Sequence, residues 1–243
     1  KARESGGIAF YAHGGYAKEI YADVAQGRID GVELLQFGVY RGIGLDDWYN
    51  MLNAGFRVPA NGASDYPACR KLGDCKTYVY DKEKPDAAGW LRGMAEGRSF
   101  LTSGPLLLLE VDGVRPGGRI DRKANEAVRV KAKIRVRSEV APVTNVRLIA
   151  NGRVLHEMTL PRQAGRGCWI ESEHEIELEE SAWIAARAFS LSPTGAPDAE
   201  SHTNPVYLYL NGKAPFDVAS TDALAAAIDR QIDVHQKRDF AER

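Results

Sequence analysis

Two side chains in the first third of this chain are of types that hold metal ions: the imidazole of His13, in AFYAHGG, and the carboxylate of Asp65, in GASDYP. Imidazole nitrogen and carboxylate oxygen are both ordinary ligands for zinc, manganese or iron. Each residue follows a short apolar run that reads as a buried strand. Each is therefore expected at a strand's carboxyl end, where the loops of α/β proteins gather their chemistry. Two βα units separate them, so they should share one rim of one sheet. Two ligands alone make a poor site, and both residues also have plainer readings: His13 as a hydrogen-bonded cap on a strand end, Asp65 as a cap for the turn that follows.

Other chemistry-bearing residues lie near or far from that rim. Glu33 sits inside GVELLQF, where a carboxylate buried on both faces needs a cation, hydrogen-bond donors or a raised pKa. It reads either as support for His13 or a metal's water, or as an internal ion pair with Arg57 or Arg70. Arg70, on the loop after Asp65, is placed to orient an anionic substrate. His202, in SHTNP, is either a loop residue leaning over the rim or a turn residue held through Thr203 or Asn204. His156, His174 and His235 take no role, and Ser64 lacks the G-x-S-x-G setting of a nucleophile.

The elements that must position these residues change character along the chain. Over residues 8–101, short apolar runs alternate with amphipathic stretches, the pattern of parallel strands covered by helices. IAFYAH, GVELLQF, RVPANGASD and TYVY read as its strands. AKEIYADVAQGRI puts Ile20, Val24 and Ala25 on one helical face and stops at Gly27. LDDWYNMLNAGF is capped by Asp46 or Asp47 and ends at Gly55, and PDAAGWLRGMAEG opens on Pro85. After Pro105 the period becomes two. VRVKAKIRVRS alternates Val128, Val130, Ala132, Ile134 and Val136 with Arg129, Lys131, Lys133, Arg135 and Arg137, a strand with one wet face. Asn151-Gly152 between apolar runs signals a hairpin, and HEIELE, AWIAARAFS and PVYLYLNG continue at sandwich-like spacing. Residues 221–240 space Leu224, Ile228 and Ile232 as a docked helix.

Composition narrows the functional classes. The chain has 243 residues, 44% hydrophobic and 27% charged, with a net charge of -1. That balance suits a globular chain with no general bias toward nucleic acid or a membrane surface. The basic row of VRVKAKIRVRS reads as a solvated face, with the acidic HEIELEE nearby. Cys69, Cys75 and Cys168 make an odd number and are expected as free thiols rather than a disulfide framework.

Taken in order, AFYAHGG, DGVELLQFG, WYNMLNAGFRVPANGASDYPACRKLGDCKTYVY and GRSFLTSGPLLLLEVDGVRPG resemble the carboxyl-terminal part of the CehA/McbA-type metallohydrolases. These belong to the PHP superfamily, named for polymerase and histidinol phosphatase domains. The resemblance covers residues 8–114 and resumes in WIAARAF and SHTNPVYLY. It implies a distorted β/α barrel whose rim carries divalent metals and hydrolyses phosphoesters or, in some members, carbamates and other esters. By resemblance, His13 stands at a late histidine ligand and Asp65 at the aspartate of a closing Asp-x-His pair. Glu33 falls at a common acidic position that is not itself a ligand.

Two departures qualify what the resemblance implies. Pro67 replaces the second histidine of the closing pair, and residues 1–7 hold no histidine to supply the early ligands. The chain is thus expected to be the later part of a longer protein and inactive by itself, its divalent metal (zinc, manganese or iron) either held differently or missing. The expected fold is α/β plus β: a partial PHP-type parallel sheet over residues 1–104, an antiparallel Ig-like β-sandwich over 105–212, and a helical tail over 213–243. The expected function is metal-dependent hydrolysis of phosphoester, ester or carbamate bonds. The alternative is an inactive scaffold presenting a β-sandwich binding module. Expected partners are a small ester or phosphoester substrate and a second copy of the chain paired through exposed sheet edges, with no nucleic acid and no membrane.

Overall fold

The computed structural model describes residues 2–14, 19–36, 39–40, 44–68, 71–80, 86–139, 141–161, 166–191 and 197–237. Arg70, expected to orient a substrate, lies outside them, as do Cys69 and Pro85.

A small sheet forms first along the chain. β1 (Phe10–Tyr11) runs parallel to β2 (Gly31–Gln36), pairing Phe10 with Gly31 and Tyr11 with Val32. Gly31 permits this closeness, because a Cβ there would meet the Phe10 ring at 2.3 Å and Pro59 O at 2.5 Å. β3 (Val39–Tyr40) folds back antiparallel onto Leu35 and Gln36, and β4 (Ala60–Ala63) lies parallel along the other side of β2. The β2–β4 ladder shifts register between Glu33 and Leu35: Glu33 opposes Asn61, and Gln36 opposes Ala63. This bulge puts Glu33 and Gln36 on the same face although three positions separate them, since a regular strand would have sent them to opposite faces.

The other face of this sheet is apolar. α1 (Ile20–Ala25) and α2 (Gly44–Asn53) cover it, burying Ile20, Val24, Trp48 and Met51 against Val32 and Leu35. Helix α2 begins at Gly44, so Asp46 and Asp47 stand in its first turn rather than at its cap. Negative charge there still complements the helix dipole.

TYVY was expected as a fourth parallel strand, but it pairs antiparallel. β5 (Lys76–Val79) and β6 (Ser99–Thr102), joined through α3 (Ala87–Ala95), form an antiparallel pair. Asp86 caps α3 by accepting from Gly89 N at 2.5 Å. β5 and β6 then extend the main sheet of the molecule, so that sheet draws strands from both sides of residue 104.

The remaining strands build the sandwich. β7 (Leu106–Val111), β9 (Val128–Arg137) and β12 (Ile170–Leu178) make a three-stranded antiparallel sheet in the order β12-β9-β7. Facing it are β8 (Arg119–Arg122), β10 (Asn145–Ala150), β11 (Arg153–Thr159), β13 (Ala182–Leu191), β14 (Pro197–Thr203) and β15 (Val206–Leu210). Their order is β11-β10-β13-β14-β6-β5, with β15 continuing along β13 and carrying β8 in parallel. The β10–β11 hairpin turns on Asn151 and Gly152, both at positive φ as the tight turn requires.

At its centre the main sheet is buried on both faces, and β13 shows why. Ala182, Ile184, Ala186 and Ala188 enter the sandwich core with Leu107, Ile134 and Leu148. Trp183 and Ala185, pointing the other way, join Trp48, Leu52 and Leu101 in the core beneath the small sheet. Trp183 Nε1 donates to Asn53 Oδ1 at 2.6 Å, fastening α2 to the sheet. α4 (Val218–Gln236), capped by Asp217, buries Leu224 and Ala227, while Ile232, expected to dock, is 47% exposed. Among the described residues no helix is long and apolar enough to cross a membrane.

The expected basic row is paired. Lys131, Lys133 and Arg129 meet Glu173, Glu171 and Glu177 at 2.5, 2.6 and 3.1 Å across the β9–β12 ladder.

Candidate functional site

Five described residues other than glycine have positive φ: His13, Asp65, Asp112, Asn151 and Asn211. Asp112, Asn151 and Asn211 each precede a glycine that is also at positive φ, as in the paired left-handed residues of tight hairpin turns. His13 (φ 59) and Asp65 (φ 53) are the remaining two. Both carry side chains of types that hold metal ions. Left-handed backbone costs a residue with a Cβ of order 1–2 kcal/mol, and such strain tends to cluster at functional sites.

β1 and β4 flank β2 in parallel and run toward the same rim, and His13 and Asp65 lie just beyond their carboxyl ends. Register staggers them. His13 lies two residues past Tyr11, the partner of Val32, whereas Asp65 lies two residues past Ala63, the partner of Gln36. Asp65 therefore stands farther along the strand direction than His13.

Between the two strand ends, the polar face of β2 carries a connected group. Glu33, 7% exposed, accepts the backbone N–H of His13 through Oε2 at 2.7 Å. Glu33 thus supports His13 through the main chain rather than the ring, while Arg70, one of its expected ion-pair partners, lies outside the described residues. Arg57, named as an ion-pair partner, instead donates to Gly117 O at 2.6 Å and lies over the Tyr207 ring. Gln36 is fully buried and its amide meets His13 Nδ1. Asn61, opposite Glu33, also carries a buried oxygen on this face. Sequence reasoning passed over Gln36 and Asn61. The signal available was an amide inside each of two short strands, Gln36 in GVELLQF and Asn61 in RVPANGASD.

Ser64 has structural work: its hydroxyl donates to Cys75 O at 2.9 Å and accepts from Gly73 N and Cys75 N at 3.1 Å. It shapes the loop after β4, which carries Asp65.

His202 does not reach the rim. It is fully buried on β14 and faces α2, with its ring edge-on to Trp48. Its Nδ1–H donates to Thr203 O at 2.7 Å, so the Tyr49 hydroxyl donates to Nε2 at 2.6 Å. Both ring nitrogens are used, which leaves no atom for a substrate. Burial, with the Arg187 charge adding to it, pushes this imidazole down to about 3, so it stays neutral. Arg187 and Glu200 make a bidentate pair beside it, at 3.0 and 2.5 Å.

A cavity of about 450 Å³ opens near the amino end of β4, lined by Arg57, Pro59, Arg98, Pro205 and Tyr207 among others. Its arginines hold loops together: Arg98 donates to Tyr80 O at 2.8 Å and pairs with Glu96 at 2.6 Å.

Imidazole nitrogen and carboxylate oxygen form a donor set that zinc, manganese and iron accept. Among the described residues, no three His, Cys, Asp or Glu side chains converge as a metal cluster would require.

No family model and no curated protein matches the chain. Among solved structures, it is similar to fibronectin(III)-like modules of Clostridium thermocellum CbhA, at 13% identity over 42% of this chain and 97% of that one, with a TM-score of 0.25. It is also similar to the CARDB domain of a Pyrococcus furiosus protein solved in complex with di-metal ions, at 14% identity over 44% of this chain and 96% of that one, TM-score 0.25. An engineered protein matches 83% of this chain with 48% of its own length, at 12% identity and a TM-score of 0.26. Likenesses at this level carry no functional inference.

Proposed function

We propose that the chain belongs to the lineage of PHP-type metallohydrolases and that His13 and Asp65 are ligands of its divalent metal centre. The observation that carries this reading is the coincidence of chemistry and backbone. The two metal-competent side chains just beyond the ends of the parallel strands that flank β2 are also the two left-handed residues that no hairpin turn accounts for.

In this reading Glu33 fixes the His13 backbone, and the Ser64 hydroxyl holds the loop that presents Asp65. A divalent ion, when bound, supplies Lewis acidity that activates water and polarises a phosphoester, ester or carbamate. Because Pro67 offers no ligand, His13 and Asp65 would hold the ion with fewer protein groups than the family's pattern provides.

The test is calorimetric titration of zinc and manganese into the protein, its His13→Ala variant and its Asp65→Ala variant, together with hydrolysis of p-nitrophenyl phosphate. Each substitution should weaken metal binding at least about tenfold. Metal affinity indifferent to both substitutions would sink the assignment.

A second reading draws on Pro67 and on the absence of a third converging ligand among the described residues. In it, the small sheet is an inactive scaffold for the β-sandwich. Tight metal binding that depends on Asp65 would discard it.

A further inference from the structure

The amide of Gln36 faces its neighbours the wrong way round, and the reversed arrangement has a chemical meaning. Gln36 Nε2 is set against His13 Nδ1, while Gln36 Oε1 is buried with no hydrogen-bond partner among the described residues. Asn61 Oδ1 is buried in the same condition. The two oxygens share a face: Gln36 opposes Ala63 and Asn61 opposes Glu33, so Asn61 is the diagonal neighbour of Gln36 across the ladder. Long side chains span that diagonal.

Side-chain amide oxygen and nitrogen differ little in size, and the hydrogen-bond network decides which is which. Two unmatched buried acceptors beside a donor nitrogen pressed on an imidazole form a costly arrangement. With the amide turned over, Oε1 receives the proton of His13 Nδ1, and the donor Nε2 is presented on the face that carries Asn61 Oδ1. Gln36 Oε1 then has a partner, and Asn61 Oδ1 has a donor on its own face.

We infer that Gln36 is a positioning residue for His13: its carbonyl fixes the Nδ1–H tautomer and leaves the imidazole lone pair on Nε2, with Asn61 bracing the amide from behind. An imidazole binds metal through the nitrogen that carries no proton, and the hydrogen bond at the other nitrogen decides which that is. The value of this tautomer to a metal centre rests on the reading of His13 as a ligand. The tautomer itself does not.

The experiment is long-range nitrogen–proton correlation NMR on metal-free protein with labelled histidine, the His13 signals being assigned by their loss in His13→Gln. The native protein should show His13 as the Nδ1–H tautomer. Gln36→Glu, whose carboxylate accepts, should keep it, and Gln36→Met, which cannot, should lose it. If Gln36→Met fails to fold, Asn61→Leu, which frees the amide to turn back, replaces it and should also lose the tautomer. In a parallel zinc titration, Gln36→Met should bind roughly 10–100-fold more weakly than native, with Gln36→Glu restoring affinity. A native Nε2–H tautomer, or one unmoved by Gln36→Met and Asn61→Leu, overturns the inference. An Nδ1–H tautomer in a protein with no zinc affinity supports the inference and removes the metallohydrolase reading instead.

Discussion

His202 is where one side chain most clearly governs a measurable property. Its pKa lies at about 3 in the folded protein, against an ordinary value near 6.5. Between those values the unfolded chain binds a proton that the folded chain refuses. Stability therefore falls as pH drops through the window, by up to about 1.4 kcal/mol per pH unit. From about pH 7 to about pH 5.5, the unfolding free energy should drop by about 1 kcal/mol from this residue. A His202→Gln chain, which cannot titrate there, should show a correspondingly shallower slope in urea unfolding. Equal slopes would mean that His202 is not held neutral. Tyr49→Phe makes a companion test: it strips the donor from Nε2 and leaves a buried acceptor unmatched, for a loss of about 1–3 kcal/mol. At this scale the sequence was partly readable. His13 and Asp65 announced themselves by type and by following apolar runs. SHTNP has the composition of a turn, which hid that β14 continues through Thr203 and turns the ring of His202 inward. Gln36 and Asn61 were hidden by the bulge after Glu33, since no periodicity in GVELLQF foretells the shift that brings both amides to one face.

Elements join here through side chains as much as through ladders. No ladder pairs β4 with the described strands of the main sheet; Asn204 and Thr77 hold it instead. Asn204 Oδ1 accepts from Ala60 N at 2.8 Å, and its Nδ2 donates to Ala60 O at 2.9 Å and to Ser99 Oγ at 2.8 Å. Thr77 Oγ1 likewise accepts from Gly62 N at 2.9 Å and donates to Gly62 O at 3.0 Å. Asn204→Ala should therefore leave a backbone donor and acceptor stranded in the interior and cost about 2–4 kcal/mol by chemical denaturation. A loss within experimental error would show that water replaces the amide. Exposed pairs on β9 and β12 should behave differently. Lys131→Gln should leave the midpoint unchanged at moderate salt, because exposed ion pairs contribute little. The contrast also bears on what was legible. VRVKAKIRVRS declared its strand and its wet face through strict alternation. TYVY declared a strand but not its partner, because whether a short apolar run pairs parallel or antiparallel is settled by distant segments, here Ser99–Thr102.

Across the whole molecule, two cores meet on one sheet. The sandwich core and the core under α1 and α2 both depend on β13, whose buried alanines Ala182, Ala185, Ala186 and Ala188 let layers on either side approach closely. Heat and urea should accordingly give one transition, with near-ultraviolet circular dichroism reporting Trp48 and Trp183 in step with far-ultraviolet signal from the strands. Amide protons of β13 should exchange slowest. Separate transitions would mean that the two cores are independent. Ala186→Leu should overpack the sandwich side and cost about 1–3 kcal/mol.

The doubly covered strand also constrains descent. Cutting the gene near residue 104 would strip Ser99–Thr102 from β14 and leave Trp183 and Tyr207 without the greasy surfaces they now rest against. Neither portion could travel between genes as an independent cassette without becoming sticky, so the two are expected to be inherited, lost and duplicated as a single block.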